Sequence, residues 1–390
     1  MKKLLLRKAS VYEETLLIEN GTVVIEGEKI TFVGSNYDTN EPYEEIVLPA
    51  SYNIIPGMID IHIHGAGGAD MMDATPESLE KIATLLPREG TTSFLATTIT
   101  QSDAAIEKAL ENIASYSNKD NAEVLGIHLE GPFINQEMAG AQPKQYISRI
   151  DLEKFKRWQR RSGNQIKLVT FAPELEGSRE FVQFLAAEGI VASVGHSNAV
   201  FTDVKELTDI GLTHATHLFN QMRGLHHREP GVVGAAFLLG NVTAELIVDG
   251  LHVCQETVQL AYQVIGKERL ILITDAMRAK GMGNGVFDLG GQAVKVSAGK
   301  AVLEDGTLAG SVLKMNDALK NMMNYTGCCL RDITVMTAVN PAKKIDVFDR
   351  KGSIAVGKDA DLVVLNESNE VVMTFCRGKL VWCQATMNTN

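Results

Sequence analysis

IIPGMIDIHIHGAGGADMMD, running from Ile54 to Asp73, decides how the rest of the chain is read. Met58 to Ile63 is a short apolar, β-branched run, entered through Pro56-Gly57 and left through the turn Gly65-Ala66-Gly67-Gly68. That pattern belongs to a buried strand opening into a loop. Side chains alternate along a strand, so His62 and His64 project to the same side at its end. Two imidazoles so placed can hold one divalent ion, or can merely hydrogen-bond within a core. The spacing alone leaves both readings open.

Downstream, strand and helix patterns alternate. Candidate strands are 58–64, 91–97, 124–130, 167–172, 190–195, 213–218, 244–248 and 270–274. Helical periodicity falls between most of them, at 76–86, 103–115, 152–161, 178–188, 201–210 and 255–265. Eight strands in such alternation read as a (β/α)₈ barrel. A doubly wound open sheet is the alternative, but no GxGxxG follows an early strand. The Gly-rich stretch 283–310 breaks the rhythm and reads as a hairpin insertion near the barrel mouth. A helix is expected after it over 311–325, with Ser311 as its N-cap.

Residues 4–48 and 351–384 have another texture: short β-like segments such as 22–26, 29–33, 361–365, 371–375 and 380–382, punctuated by glycines. The expected organisation is therefore a small β-sandwich domain built from both termini (1–55 and 349–390) around a barrel at 56–348.

Composition narrows the function classes. Of 390 residues, 45% are hydrophobic and 22% charged, as in an ordinary globular protein. A net charge of −11 offers no basic surface for nucleic acid. The N-terminus, MKKLLLRK, is interrupted by Arg7 and Lys8 before any signal-type apolar run, and no stretch reaches membrane-spanning length. The five cysteines form no CxxC pair and read as reduced thiols, small core hydrophobes of a cytoplasmic protein.

Function in such a barrel gathers where strands end. Strand one ends in His62 and His64, strand three in His128 and Glu130, strand five in His196, and strand six carries His214 and His217 and runs into Asn220. Strand seven ends in Asp249 with His252 just beyond, and strand eight ends in Asp275. Ligand-type residues at six of eight strand ends point collectively to a metallohydrolase site for Zn²⁺ or Fe²⁺.

The segments PGMIDIHIHG, HLEGPF, GHSNA, THLFNQM…REPG, VDGLHV, LITDA and LAGS, in this order, resemble the N-acetylglucosamine-6-phosphate deacetylase family of the amidohydrolase superfamily. The tail motif GSIAVGKDADLVVL matches as well. The resemblance implies Glu130, His196 and His217 as ligands of a main metal and Asp275 as general acid/base. Family members differ over the first motif, and a chain that keeps both histidines would bind a second ion through His62 and His64, with Glu130 bridging. Strand four ends Thr170-Phe171-Ala172-Pro173-Glu174, without the lysine that many amidohydrolases carbamylate, which is consistent with that bridging role. Implied substrate contacts are Ala141, Gln142, Asn220, Gln221, Arg228, Asp249, Gly250, Leu251, His252, Leu308, Ala309 and Gly310. Arg228, reaching across a homodimer, and His252 would hold the phosphate of a phosphorylated amino sugar.

Two positions depart from the family pattern. One branch carries His where this chain has Gln142, and Ala is usual where it has Gln221. Gln142 can donate a hydrogen bond but not a proton, so the expectation is that a second metal supplies the missing polarisation. The rival readings are an N-acetylgalactosamine-6-phosphate deacetylase, another amidohydrolase such as a cyclic amidase, and a barrel scaffold without chemistry.

Overall fold

The computed structural model describes residues 3–118 and 120–384. At its centre is an eight-stranded parallel sheet whose strands follow chain order: β1 (Met58–Ile63), β2 (Thr91–Thr98), β3 (Glu123–Glu130), β4 (Ile166–Phe171), β5 (Val191–Val194), β6 (Leu212–Ala215), β7 (Thr243–Ile247) and β8 (Leu270–Ile273). Between and after them run α1 (Pro76–Leu85), α2 (Asp103–Ser115), α3 (Leu152–Arg161), α4 (Ser178–Ala187), α5 (Phe201–Thr208), α6 (Gly231–Leu238), α7 (Gln255–Ile265) and α8 (Met315–Thr326). The sheet closes on itself where β8 meets β1. There the Asp275 N–H donates to the His62 carbonyl at 2.9 Å, and the His64 N–H to the Ala276 carbonyl at 2.8 Å. The expected (β/α)₈ barrel is what forms.

The reasons are local. Helices on one face and packed side chains on the other bury β1, β2 and β8 along their whole length, and such strands read as near-continuous apolar or β-branched runs. Helix starts are fixed by side-chain caps. Thr75 Oγ1 accepts the Ser78 N–H, Ser102 Oγ the Ala105 N–H, and Asp151 Oδ1 the Lys154 N–H.

Two expectations need correction. Helix α8 begins at Met315, not Ser311, and Lys314 stands at its N-cap without a side-chain bond. Ser311 is engaged elsewhere, since its N–H donates to the Asp275 carbonyl (2.7 Å) and its hydroxyl to that of Thr274 (2.5 Å), which pins the end of β8. The insertion is a three-stranded antiparallel sheet, not a hairpin, made of Gly285–Leu289, Gln292–Ser297 and Lys300–Val302. It does reach the barrel mouth, where Gln292 Nε2 donates to the Ala141 carbonyl at 2.6 Å.

The two chain ends build two further sheets. Lys3–Arg7, Thr22–Glu26, Lys29–Gly34 and Tyr43–Val47 form one of four strands. The other has six: Ser10–Tyr12, Leu17–Ile18 and Asn53–Pro56 from the N-terminal side, and Leu362–Leu365, Val371–Cys376 and Lys379–Cys383 from the C-terminal side. A core separate from that of the barrel includes Leu6, Val23, Ile54, Leu362 and Phe375, drawn from both sheets. We propose domain boundaries at 55/56 and 348/349 on this basis. All five cysteines are free; Cys328 and Cys376 are buried as expected, whereas Cys254 and Cys329 are exposed.

Candidate metal centre

Glu130, at the end of β3, faces histidines from two other strand ends. Its Oε1 lies 3.1 Å from His196 Nε2 and 3.1 Å from His217 Nε2, and the two nitrogens are 3.1 Å apart. Ligands of a tetrahedral zinc ion, bonded at about 2.0–2.1 Å, stand roughly 3.3 Å from one another, so this triangle has the size an ion requires. His196 Nδ1 is bonded to the Met138 carbonyl at 2.8 Å, which fixes its ring and leaves Nε2 for the centre.

A second set adjoins it. His64 Nε2 lies 3.2 Å from Glu130 Oε2 and 3.3 Å from Asp275 Oδ1, while His62 Nε2 is 3.5 Å from both Glu130 Oε1 and Asp275 Oδ1. Glu130 thus borders both sets, its Oε1 facing His196, His217 and His62 and its Oε2 facing His64. His62 Nε2 is fully buried and, among the described residues, has no hydrogen-bond partner. An orphaned nitrogen facing two carboxylates is what a cation site leaves when described by protein atoms alone. His62, His64 and Asp275 form one potential ligand group; Glu130, His196 and His217 form another.

The electrostatics agree. Burial opposes the charges of Glu130 and Asp275, yet the adjoining histidines hold both carboxyls below their ordinary range. Burial lowers and the carboxylates raise His64, with the net result that it is pushed up to about 9. The backbone is strained where these side chains emerge: His196 (φ 47°), His217 (φ 33°) and Asp275 (φ 47°) all occupy the left-handed region, which L-residues enter at a cost.

The remaining candidates are distributed as follows. Ala141, Gln142, Asn220, Gln221, His252, Leu308 and Gly310 line the cavity above the cluster, with Ala309 fully buried beside them. Gln142 is buried and oriented at both ends of its amide. Its Oε1 accepts the Thr100 N–H and its Nε2 donates to Glu130 Oε2, each at 2.8 Å. Asp249 does not line that cavity; its carboxylate accepts the N–H groups of Leu251 and His252 and bonds His252 Nδ1 at 2.6 Å. Gly250 makes the turn at φ 73°, and Leu251 points outward, 46% exposed. Arg228 is exposed, with Nη1 2.8 Å from His227 Nε2, and does not line its own chain's cavity. A wider groove of about 890 Å³ beside α1, bordered by Lys81, Arg88 and Met282, holds none of the clustered ligand groups.

His128 and His214, strand residues like His62, stay inside the barrel. His128 Nε2 bonds Thr170 Oγ1 at 2.7 Å, and His214 lies between Thr243 Oγ1 (2.6 Å) and Glu245 Oε1 (3.1 Å). Sequence reasoning misses two carboxylates. Glu245 in β7 bonds His62 Nδ1 at 2.9 Å, and Asp60 in β1 accepts the N–H of His62 and the hydroxyl of Thr274. A signal for both exists: a charged residue inside an apolar, fully buried parallel strand needs partners there.

An eight-stranded barrel with imidazoles and carboxylates converging at the C-terminal strand ends defines the class of metal-dependent barrel hydrolases. This chain belongs to the amidohydrolase family, whose model matches residues 53–381. It is 47% identical over 387 residues to N-acetylglucosamine-6-phosphate deacetylase of Bacillus subtilis (strain 168), with 98% of each chain covered. Its fold superposes on the crystal structure of N-acetylglucosamine-6-phosphate deacetylase from Pasteurella multocida with a TM-score of 0.92, at 31% identity, covering 98% of this chain and 100% of the other. A mutant of the Mycobacterium smegmatis enzyme, solved in complex with N-acetyl-D-glucosamine-6-phosphate, is similar with a TM-score of 0.91, at 30% identity and the same coverages. No helix among the described residues is long and apolar enough to cross a membrane.

Proposed function

We propose that the chain hydrolyses the acetamide of N-acetyl-D-glucosamine 6-phosphate, giving D-glucosamine 6-phosphate and acetate, in amino-sugar catabolism and cell-wall sugar recycling. The observation that carries this reading is the pair of adjoining potential ligand sets at the barrel rim, one containing Glu130 and the other, His62 with His64 and Asp275, facing it. The near full-length likeness to deacetylases of this substrate supports it. Glu130, His196 and His217 would hold the main ion, and His62 and His64 a second one with Glu130 between them; Zn²⁺ or Fe²⁺ suits the imidazole and carboxylate donors. Such an ion, when bound, activates water and polarises the amide carbonyl.

The chain's own residues do the rest. Asp275, ionised at neutral pH, takes the proton of the attacking water and passes it to the sugar nitrogen as the carbon–nitrogen bond breaks. Gln142 holds Glu130 by its amide N–H. Asn220, Gln221, Ala141, Leu308 and the backbone at Ala309–Gly310 surround the sugar, while Asp249 keeps the His252 imidazole turned to the phosphate through the turn at Gly250 and Leu251. Arg228 is exposed in its own chain, which suits donation to the neighbouring subunit's phosphate site in a homodimer. The protein would work in the cytoplasm. Acetate release from the glucosamine and galactosamine epimers of the 6-phosphate, with elemental analysis of bound metal, tests the proposal. Faster turnover of the galactosamine epimer, or no acetate from either, would overturn it.

A further inference from the structure

We propose that Glu245 is a positioning residue common to both ion sites, setting the proton of His62 and the backbone of His217 through one buried oxygen. This inference rests on the reading of His62 and His64 as ligands of a second ion.

Glu245 lies in the middle of β7 and is fully buried. Its Oε2 is 2.9 Å from His62 Nδ1 and accepts the His217 N–H at 3.1 Å; its Oε1 is 3.1 Å from His214 Nε2. An ionised carboxylate only accepts hydrogen bonds, so His62 must carry its proton on Nδ1. Its Nε2 lone pair then faces Glu130 and Asp275, the two carboxylates around the second set. A proton on the other nitrogen would close that position to a metal. On the main side, His217 sits at φ 33°, a conformation that needs support from its surroundings. The same Glu245 oxygen supplies it by accepting the His217 N–H, and the Glu245 carbonyl accepts the next N–H, that of Leu218, at 2.9 Å. One carboxylate that reaches neither cavity nor substrate thereby ties a ligand of each ion to the same strand.

The test is ion binding by the metal-free full-length protein, followed by calorimetry with Zn²⁺ and by the absorption spectrum with Co²⁺. Glu245→Gln keeps the shape but removes the charge, and it can turn its NH₂ toward His62. It should weaken the second equivalent by about 10–100-fold, as loss of a partner behind a metal-bound histidine does, and the first as well, because the NH₂ then faces the His217 N–H that the same oxygen had accepted. Wild-type protein that takes up two equivalents, of which His62→Ala loses one, establishes the two-ion reading independently of Glu245. With that established, an unchanged second equivalent in Glu245→Gln overturns the role given to Glu245 alone. Wild-type protein binding a single equivalent overturns both. Should the variant fail to fold, nitrogen NMR of ¹⁵N-histidine-labelled wild-type protein loaded with zinc decides the matter. A proton on His62 Nδ1 with Nε2 metal-bound is expected; metal on Nδ1 overturns the inference.

Discussion

The Asp275 carboxylate is enclosed by protein groups that favour its charge: burial alone would raise it, but His62 and His64 hold it below its usual range. It is therefore a base at neutral pH, suited to receive a proton during attack. Asp275→Asn is expected to lower kcat by about 10²–10⁴ while the main ion and the product glucosamine 6-phosphate still bind. Steady-state kinetics with elemental analysis checks this, and a variant retaining more than a tenth of its turnover would contradict the role. At His64 the sign runs the other way. With its acid form favoured up to about 9 in the metal-free protein, the imidazole must lose a proton before it can bind an ion. Affinity for the second ion should therefore rise with pH through neutrality. Calorimetry in buffers of different ionisation enthalpy should register proton release at pH 7; zero release would refute the assignment. At this scale the candidate ligands are legible because imidazoles and carboxylates recur at six of eight strand ends and fall within the motifs of one family. The left-handed backbone of His196, His217 and Asp275 is not, since no local residue preference announces it. Nor are the partners of Asp60 and Glu245, which come from stretches far apart in the chain.

Among the elements, β1 and β8 bear the closure of the barrel, and their seam is also where His62, His64 and Asp275 emerge. Few backbone bonds cross it, so the buried carboxylate of Asp60 matters. It accepts the Thr274 hydroxyl at 2.6 Å, the Thr274 N–H at 3.3 Å and the His62 N–H at 3.2 Å. Asp60→Ala would leave these buried donors without an acceptor, at about 1–3 kcal/mol for each donor fully deprived. The expected result is a clear drop in melting temperature with weakened second-ion binding, and a milder effect for Asp60→Asn, which keeps one acceptor oxygen. An alanine variant melting as the wild type does would remove Asp60 from the seam's support. The seam also explains the misplaced helix start: Ser311 looks like an N-cap by composition, but its oxygen accepts the Leu313 N–H in a tight turn while its hydroxyl donates to the Thr274 carbonyl. Helix α6, GVVGAAFL, escapes a periodic reading for a related reason. It is apolar all round and mostly buried, so it carries no 3.6-residue alternation to detect.

For the whole molecule, the terminal sheets and the barrel are joined by an ion cluster at the end of the barrel opposite the candidate metal centre. Glu123 opens β3, seven residues before Glu130, a separation of about 23 Å along a strand. Arg350 grips its carboxylate with two bonds of 3.0 and 2.8 Å, Lys351 Nζ lies 2.7 Å away and Arg377 Nη1 3.2 Å. Asp359 and Asp361 share these cations, and Lys29 from the N-terminal sheet bonds Asp359 at 2.8 Å. Burial opposes the Glu123 charge, but Arg350 and Lys351 outweigh it and bring the carboxyl down to about 2. A carboxyl depressed on folding adds stability that is complete above its unfolded value, near 4.5, and is lost as pH falls from there toward 2. For Glu123 this amounts to roughly 3 kcal/mol at neutral pH. Glu123→Gln should therefore lower the melting temperature at pH 7, leave kcat within about twofold because the chemistry lies at the other barrel end, and flatten the decline in stability between pH 4.5 and 2. Melting curves across that window measure it. Parallel slopes for the two proteins would mean that this cluster does not hold the Glu123 carboxyl below its ordinary range in solution.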